Sequence, residues 1–114
     1  MTDAVDRAAL CRLADDVGAQ GARQFAERYL RALGERLERL RQAAAAQDRP
    51  GVRDAALSLA SSSTMVGATA LAEEAYAVVR RAAADPFQPF GTGGIGPLER
   101  LVGETSSVLA QLLH

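Results

Sequence analysis

Lysine is missing from this 114-residue chain: all thirteen basic residues are arginine, set against fourteen acidic ones for a net charge of −1. That balance excludes the concentrated basic stripe that nucleic-acid binding requires. The arginines are interleaved with Asp and Glu, as on solvated helix faces. A single cysteine, Cys11, excludes an internal disulfide and points to a reducing compartment. It is expected as a small buried hydrophobe on the first helix. The one histidine, His114, is the last residue and reads as a frayed, solvated end. One Cys and one terminal His do not supply clustered metal ligands, so neither a metal nor a cofactor is expected. There is no basic-then-apolar leader and no apolar run near eighteen residues. Neither secretion nor membrane spanning is indicated, and a soluble, cytoplasmic protein is expected. Val-Thr-Ile alternation is nearly absent too, which argues against strands.

What is present favours helix. Ala makes up about a fifth of the chain and Leu is plentiful, and with Arg, Glu and Gln these lead the helix-propensity ranking. The length suits one domain, residues 1–114, able to bury roughly two-thirds of the surface its unfolded chain exposes. The fold class is therefore all-α.

Asp6 is placed to cap a short helix over 7–17, with Leu10, Leu13, Ala14 and Val17 on one face. Gly18 and Gly21 bracket the break that follows. A long second helix is predicted over 21–46, with an apolar stripe of Phe25, Ala26, Tyr29, Leu30, Leu33, Leu37, Leu40 and Ala44. Gly34 inside it costs about 1 kcal/mol against Ala and offers a point for close approach of a neighbour. Asp48 as N-cap and Pro50 in the first turn open a third helix, about 49–66. Its inward stripe is Val52, Ala56, Leu59, Ser63 and Val66, and Gly67 ends it. A fourth covers about 69–84 through Leu71, Ala72, Ala75, Val78, Val79 and Ala82, stopped by Asp85-Pro86. Residues 85–96 are the one real loop. Phe87 and Phe90 lie there, either folded back on the bundle or forming an exposed apolar patch for a partner. The last helix, about 97–113, carries Leu98, Leu101, Val102, Thr105, Val108, Leu109 and Leu112. Short connections between long helices predict an antiparallel four-helix bundle, with the short N-terminal helix capping one end.

The segment Ala56-Leu57-Ser58-Leu59-Ala60-Ser61-Ser62-Ser63-Thr64-Met65-Val66-Gly67-Ala68 resembles the phosphoacceptor helix of histidine-containing phosphotransfer (HPt) domains. That family's pattern reads roughly Ala-His-x-Leu-Lys-Gly-Ser, then small and apolar residues, then Gly-Ala. The resemblance extends to the opening VDRAALCRLADDVG, to the length of the second helix, and to the corner Gly67-Ala68 followed by Leu71-Ala72. It implies an HPt-like bundle in a two-component phosphorelay, docking a receiver domain of a response regulator or a histidine kinase module. On that pattern Leu57 stands where the phosphoaccepting histidine belongs and Ala60 where the lysine belongs. The frame is kept and the chemistry is gone.

Leucine has no lone pair to take a phosphoryl group, and no other histidine is near. Leu57 lies about 100° round the helix from Ala56 and should face outward, with Ala60, Ser61 and Thr64 sharing its face. Arg53 and Asp54 edge that face. The expected protein-binding surface is thus Arg53, Asp54, Leu57, Ala60, Ser61 and Thr64. Ser58, Ser61, Ser62 and Ser63 carry hydroxyls without a nearby base and read as small residues that let helices pack closely. The adjacent pairs Asp15-Asp16 and Glu73-Glu74 point to different faces and read as solvated charge. GTGGIG has no preceding strand and lacks the Gly-Lys-Ser/Thr ending of a phosphate loop. No catalytic residue emerges. Two readings remain: a non-catalytic HPt-like module acting by occupancy, or an adaptor bundle that binds another protein or itself through Leu57 and the Phe87–Phe90 loop. The chain is expected as a monomer or weak homodimer.

Overall fold

A computed structural model describes residues 5–84 and 95–113. Among the described residues there are four helices and no strand: α1 (Arg7–Ala45), α2 (Arg49–Met65), α3 (Thr69–Ala84) and α4 (Gly96–Leu112). α1 and α3 each pack against both α2 and α4, which closes the four into a bundle. Two tight turns, at 46–48 and 66–68, join α1 to α2 and α2 to α3, and links this short force antiparallel neighbours. The predicted all-α HPt-like bundle is the fold found. Phe87, Phe90, the Asp85-Pro86 stop and His114 lie outside the described residues.

The predicted short and long N-terminal helices are one element with a kink. Gly18 (φ 83°, ψ 160°) is the non-helical residue inside α1, a backbone conformation that costs glycine little and other residues much. The break is at Gly18 alone, because Gly21 is already helical. Residues 7–17 form an arm folded over one end of the bundle. Asp6 caps it by accepting the Ala8 N–H at 3.0 Å. The arm departs from expectation on its outer side. Leu13 and Ala9 are buried, but Val17 is 54% exposed and Cys11 is exposed. A single arm against a bundle end has one narrow seat, so only a third of its turn finds a partner.

The remaining apolar stripes fall where periodicity placed them. Leu33, Leu40, Leu59, Leu71, Leu98 and Leu109 are the largest fully buried side chains, joined by Val52, Val66 and Val78. Gly34 differs from expectation: it faces solvent, and a Cβ there would meet nothing within 4 Å. It permits no close approach.

Capping fixes the ends of α2. Asp48 accepts the Gly51 N–H at 3.0 Å, and Pro50 sits in the first turn, where an amide hydrogen has no intrahelical partner anyway. At the other end Gly67 adopts φ 80°, and the Ala68 N–H reaches back to the Ser63 carbonyl at 2.8 Å, a left-handed termination that glycine favours. The Gly67 carbonyl also accepts the Asp6 N–H at 2.6 Å, so the arm is strapped to the α2–α3 corner. The Arg49 guanidinium donates to the Ala82 carbonyl at 3.0 Å and satisfies the C-terminus of α3. No helix among the described residues is long and apolar enough to cross a membrane.

Candidate functional site

α2 is flanked on both sides, by α1 and by α3, and this decides which of its residues reach solvent. Its buried positions are Val52, Ala55, Ala56, Leu59, Ala60 and Ser63. Arg53, Asp54, Leu57, Ser58, Ser61, Thr64 and Met65 are exposed. Of the six residues expected on the outer face, five are therefore found there. Ala60 is the exception: it is fully buried, in the core cluster. It lies about 60° back from Leu57 on the side of Ala56, and a helix covered by two neighbours buries a wider arc than one stripe.

The open arc is correspondingly shifted the other way. It runs from Arg53 through Leu57 and Ser61 to Asp54, Met65 and Ser58, toward α1. Two large apolar side chains stand on it, Leu57 at 41% and Met65 at 49% exposed. Met65 was not singled out from sequence, although its position two turns beyond Leu57 was the available signal. Near Met65 the face meets the arm, where Ala9, Arg12, Leu13 and Asp16 form a shallow groove with Thr64 and Met65. Along its other edge Asp54 and Ser58 border a groove shared with Arg39 and Gln42 of α1.

The serines divide into two pairs. Ser63 is buried and shares a 2.7 Å hydrogen bond with the Tyr29 hydroxyl. Burial pushes the Tyr29 phenol above its usual value, while the Ser63 hydrogen bond and the Arg36 charge pull against that shift. Ser62 is half-buried; it accepts from Arg36 at 2.9 Å and donates to the Ser58 carbonyl at 2.9 Å. These two hold α2 against α1. Ser58 and Ser61 are exposed, so they do not serve the close packing expected of all four. The Thr64 hydroxyl donates to the Ala60 carbonyl at 2.9 Å, a bond within the helix.

Leu57 itself offers no nucleophile, and among the described residues no imidazole stands beside the exposed hydroxyls of Ser58 and Ser61 to act as a base. Among the described residues no group of three His, Cys, Asp or Glu side chains is placed to hold a metal ion. What the arrangement can do is bury apolar surface. It is a stiff helix face with two exposed hydrophobes, ringed by Arg53, Asp54 and Arg12.

Comparison with known families bears on that face. The family model for the Hpt domain matches residues 24–88, which takes in the body of α1, all of α2 and α3, and the Leu57 segment. No curated protein and no solved structure gives a significant match. The matched span exceeds half of the chain, and the chain belongs to the Hpt domain family. Members of that family carry phosphoryl groups and interact with receiver domains and kinases, so membership implies a part in phosphorelay signalling.

Proposed function

We propose that this Hpt-family chain is a pseudo-phosphotransfer module, docking a receiver domain or a histidine kinase module without taking a phosphoryl group. The observation that carries the proposal is Leu57. It occupies the histidine position of the family pattern and projects outward at 41% exposure, where a phosphoaccepting imidazole would project. Ala60, at the lysine position, is fully buried and puts no charge on the face. The docking surface is Arg53, Asp54, Leu57, Ser61 and Thr64, extended by Met65. Its effect comes from occupancy, by competing with a true phosphotransfer protein or by holding a partner in one state.

Apolar area explains how such a face binds without chemistry. Covering a Leu and a Met stabilises a complex by about 25 cal/mol for each Å² of apolar surface removed from water, and flanking charges then set specificity and the rate of encounter. Calorimetric titration against receiver domains encoded beside this chain tests the reading. The wild type is expected to bind at least one of them, and Leu57→Arg to bind at least tenfold more weakly. An absence of binding to every such receiver would overturn the receiver version. Self-association lost on Leu57→Arg would then favour the adaptor alternative.

A further inference from the structure

We propose that the arm of α1 can leave its own bundle and dock on the bundle of a second copy, giving an arm-swapped dimer hinged at Gly18. The seat is built at one end of the bundle and touches the arm from two sides. On one side the Asp6 N–H binds the Gly67 carbonyl at 2.6 Å, and Ala9 and Leu13 lie along Thr64 and Met65. On the other, Leu10 borders a groove with Ala22, Ala26, Leu109, Leu112 and Leu113. Gly67 is shaped to this arm, since a Cβ there would collide with the Asp6 carbonyl oxygen and come within 2.9 Å of the Ala9 Cβ. Val5 is buried to 1% exposure at the arm's start.

The hinge, by contrast, has one close local neighbour, the Val17 side chain, which lies 3.1 Å from where a Cβ on Gly21 would stand. Gly18 is exposed, and a Cβ on it would meet nothing within 4 Å. The residues around it are helix-compatible, and the helix resumes directly after it. The arm's seat, with Ala9 and Leu13 buried in it, favours the bent form. If Gly18 takes helical angles, the 39 residues of α1 form a rod of about 58 Å at 1.5 Å per residue. The folded molecule is 46 Å in its longest dimension. The straightened arm then projects past the bundle, and its own seat stands empty.

An identical arm fits that empty seat. Every contact of Val5, Asp6, Ala9, Leu10 and Leu13 is remade between chains, and each hinge gains the helical turn that the kink interrupts. Exchange of identical elements through a hinge is a low-cost route to dimers. The apolar occupant of this groove is thus the residue 5–17 segment of a second chain.

The test is sedimentation of the 114-residue chain and three variants of it over a range of concentrations up to millimolar. Gly18→Ala favours the straight helix by about fivefold per hinge, and a dimer has two hinges, so its association constant should rise by about 25-fold or more. Gly34→Ala makes the same substitution at an exposed site already helical, and should leave the monomer–dimer ratio unchanged. Gly18→Ala combined with Leu57→Arg should still dimerise, because the swapped contacts do not involve Leu57. Helical circular dichroism should increase in the Gly18→Ala dimer. A Gly18→Ala protein that stays monomeric throughout, an equal rise with Gly34→Ala, or a dimer abolished by Leu57→Arg would each overturn the proposal.

Discussion

Replacing Tyr29 with Phe removes one oxygen from a nearly sealed site. Tyr29 is 2% exposed and Ser63 fully buried, and their oxygens are 2.7 Å apart. The ring stays, so no cavity opens, but the fully buried Ser63 hydroxyl loses its partner, which costs about 1–3 kcal/mol. Ser63→Ala in turn strands the phenol hydroxyl in the core, at a similar cost of about 1–3 kcal/mol. The double variant Tyr29→Phe/Ser63→Ala removes both partners and should lose less than the two single losses combined, with a coupling of about 1 kcal/mol. The pH dependence has a definite sign. Burial raises the Tyr29 pKa above the ordinary 10.0, so the unfolded chain releases this proton before the folded one does. The stability from that shift is fully present below pH 10 and is lost as pH rises through the folded value. Tyr29→Phe has no such proton, so its deficit relative to wild type should shrink above pH 10. Urea unfolding at pH 8 and at alkaline pH, with Tyr76→Phe as the background so that one phenol is followed, reads both effects. Strictly additive losses, or a deficit that does not change with pH, would refute this reasoning.

Two further substitutions probe the backbone. Gly67→Ala meets a left-handed φ of 80° and the Asp6 carbonyl together. It should lose about 2–4 kcal/mol in denaturant, from the conformational penalty and the unseated arm, with hydrogen exchange accelerating first over residues 8–17. Gly34→Ala, in open solvent within α1, should raise stability by about 1 kcal/mol, read as a higher urea midpoint at unchanged slope.

The bundle was legible because its helices are long and their apolar spacing is sustained. Leu33, Leu37 and Leu40 in α1, and Leu71, Ala75 and Val78 in α3, could face only one way. Asp48, Pro50 and Gly67 marked the ends of α2 through capping chemistry that needs no tertiary context. Where expectation failed, the missing information was tertiary. Ala60 is buried because α3 as well as α1 covers α2, and helical periodicity does not count neighbours. Val17 and Cys11 are exposed because the arm touches the bundle along one narrow line. Gly34 reads the same in sequence whether it faces a helix or water. The outer face of α2 was legible through Leu57, Ser61 and Thr64, while Met65 became part of it only once the open arc was seen to lean toward α1.

Restoring the lost histidine tests the central claim most directly. Leu57→His places an imidazole at an exposed point on α2 without disturbing the core, since residue 57 is not among the buried residues. Wild type and variant are each incubated with a receiver domain phosphorylated on its aspartate, and acid-labile label is followed onto this chain. The wild type should stay unlabelled and Leu57→His should take up label, showing a docking face that kept its geometry and lost its nucleophile. Label on the wild type, or on neither protein, would contradict the account.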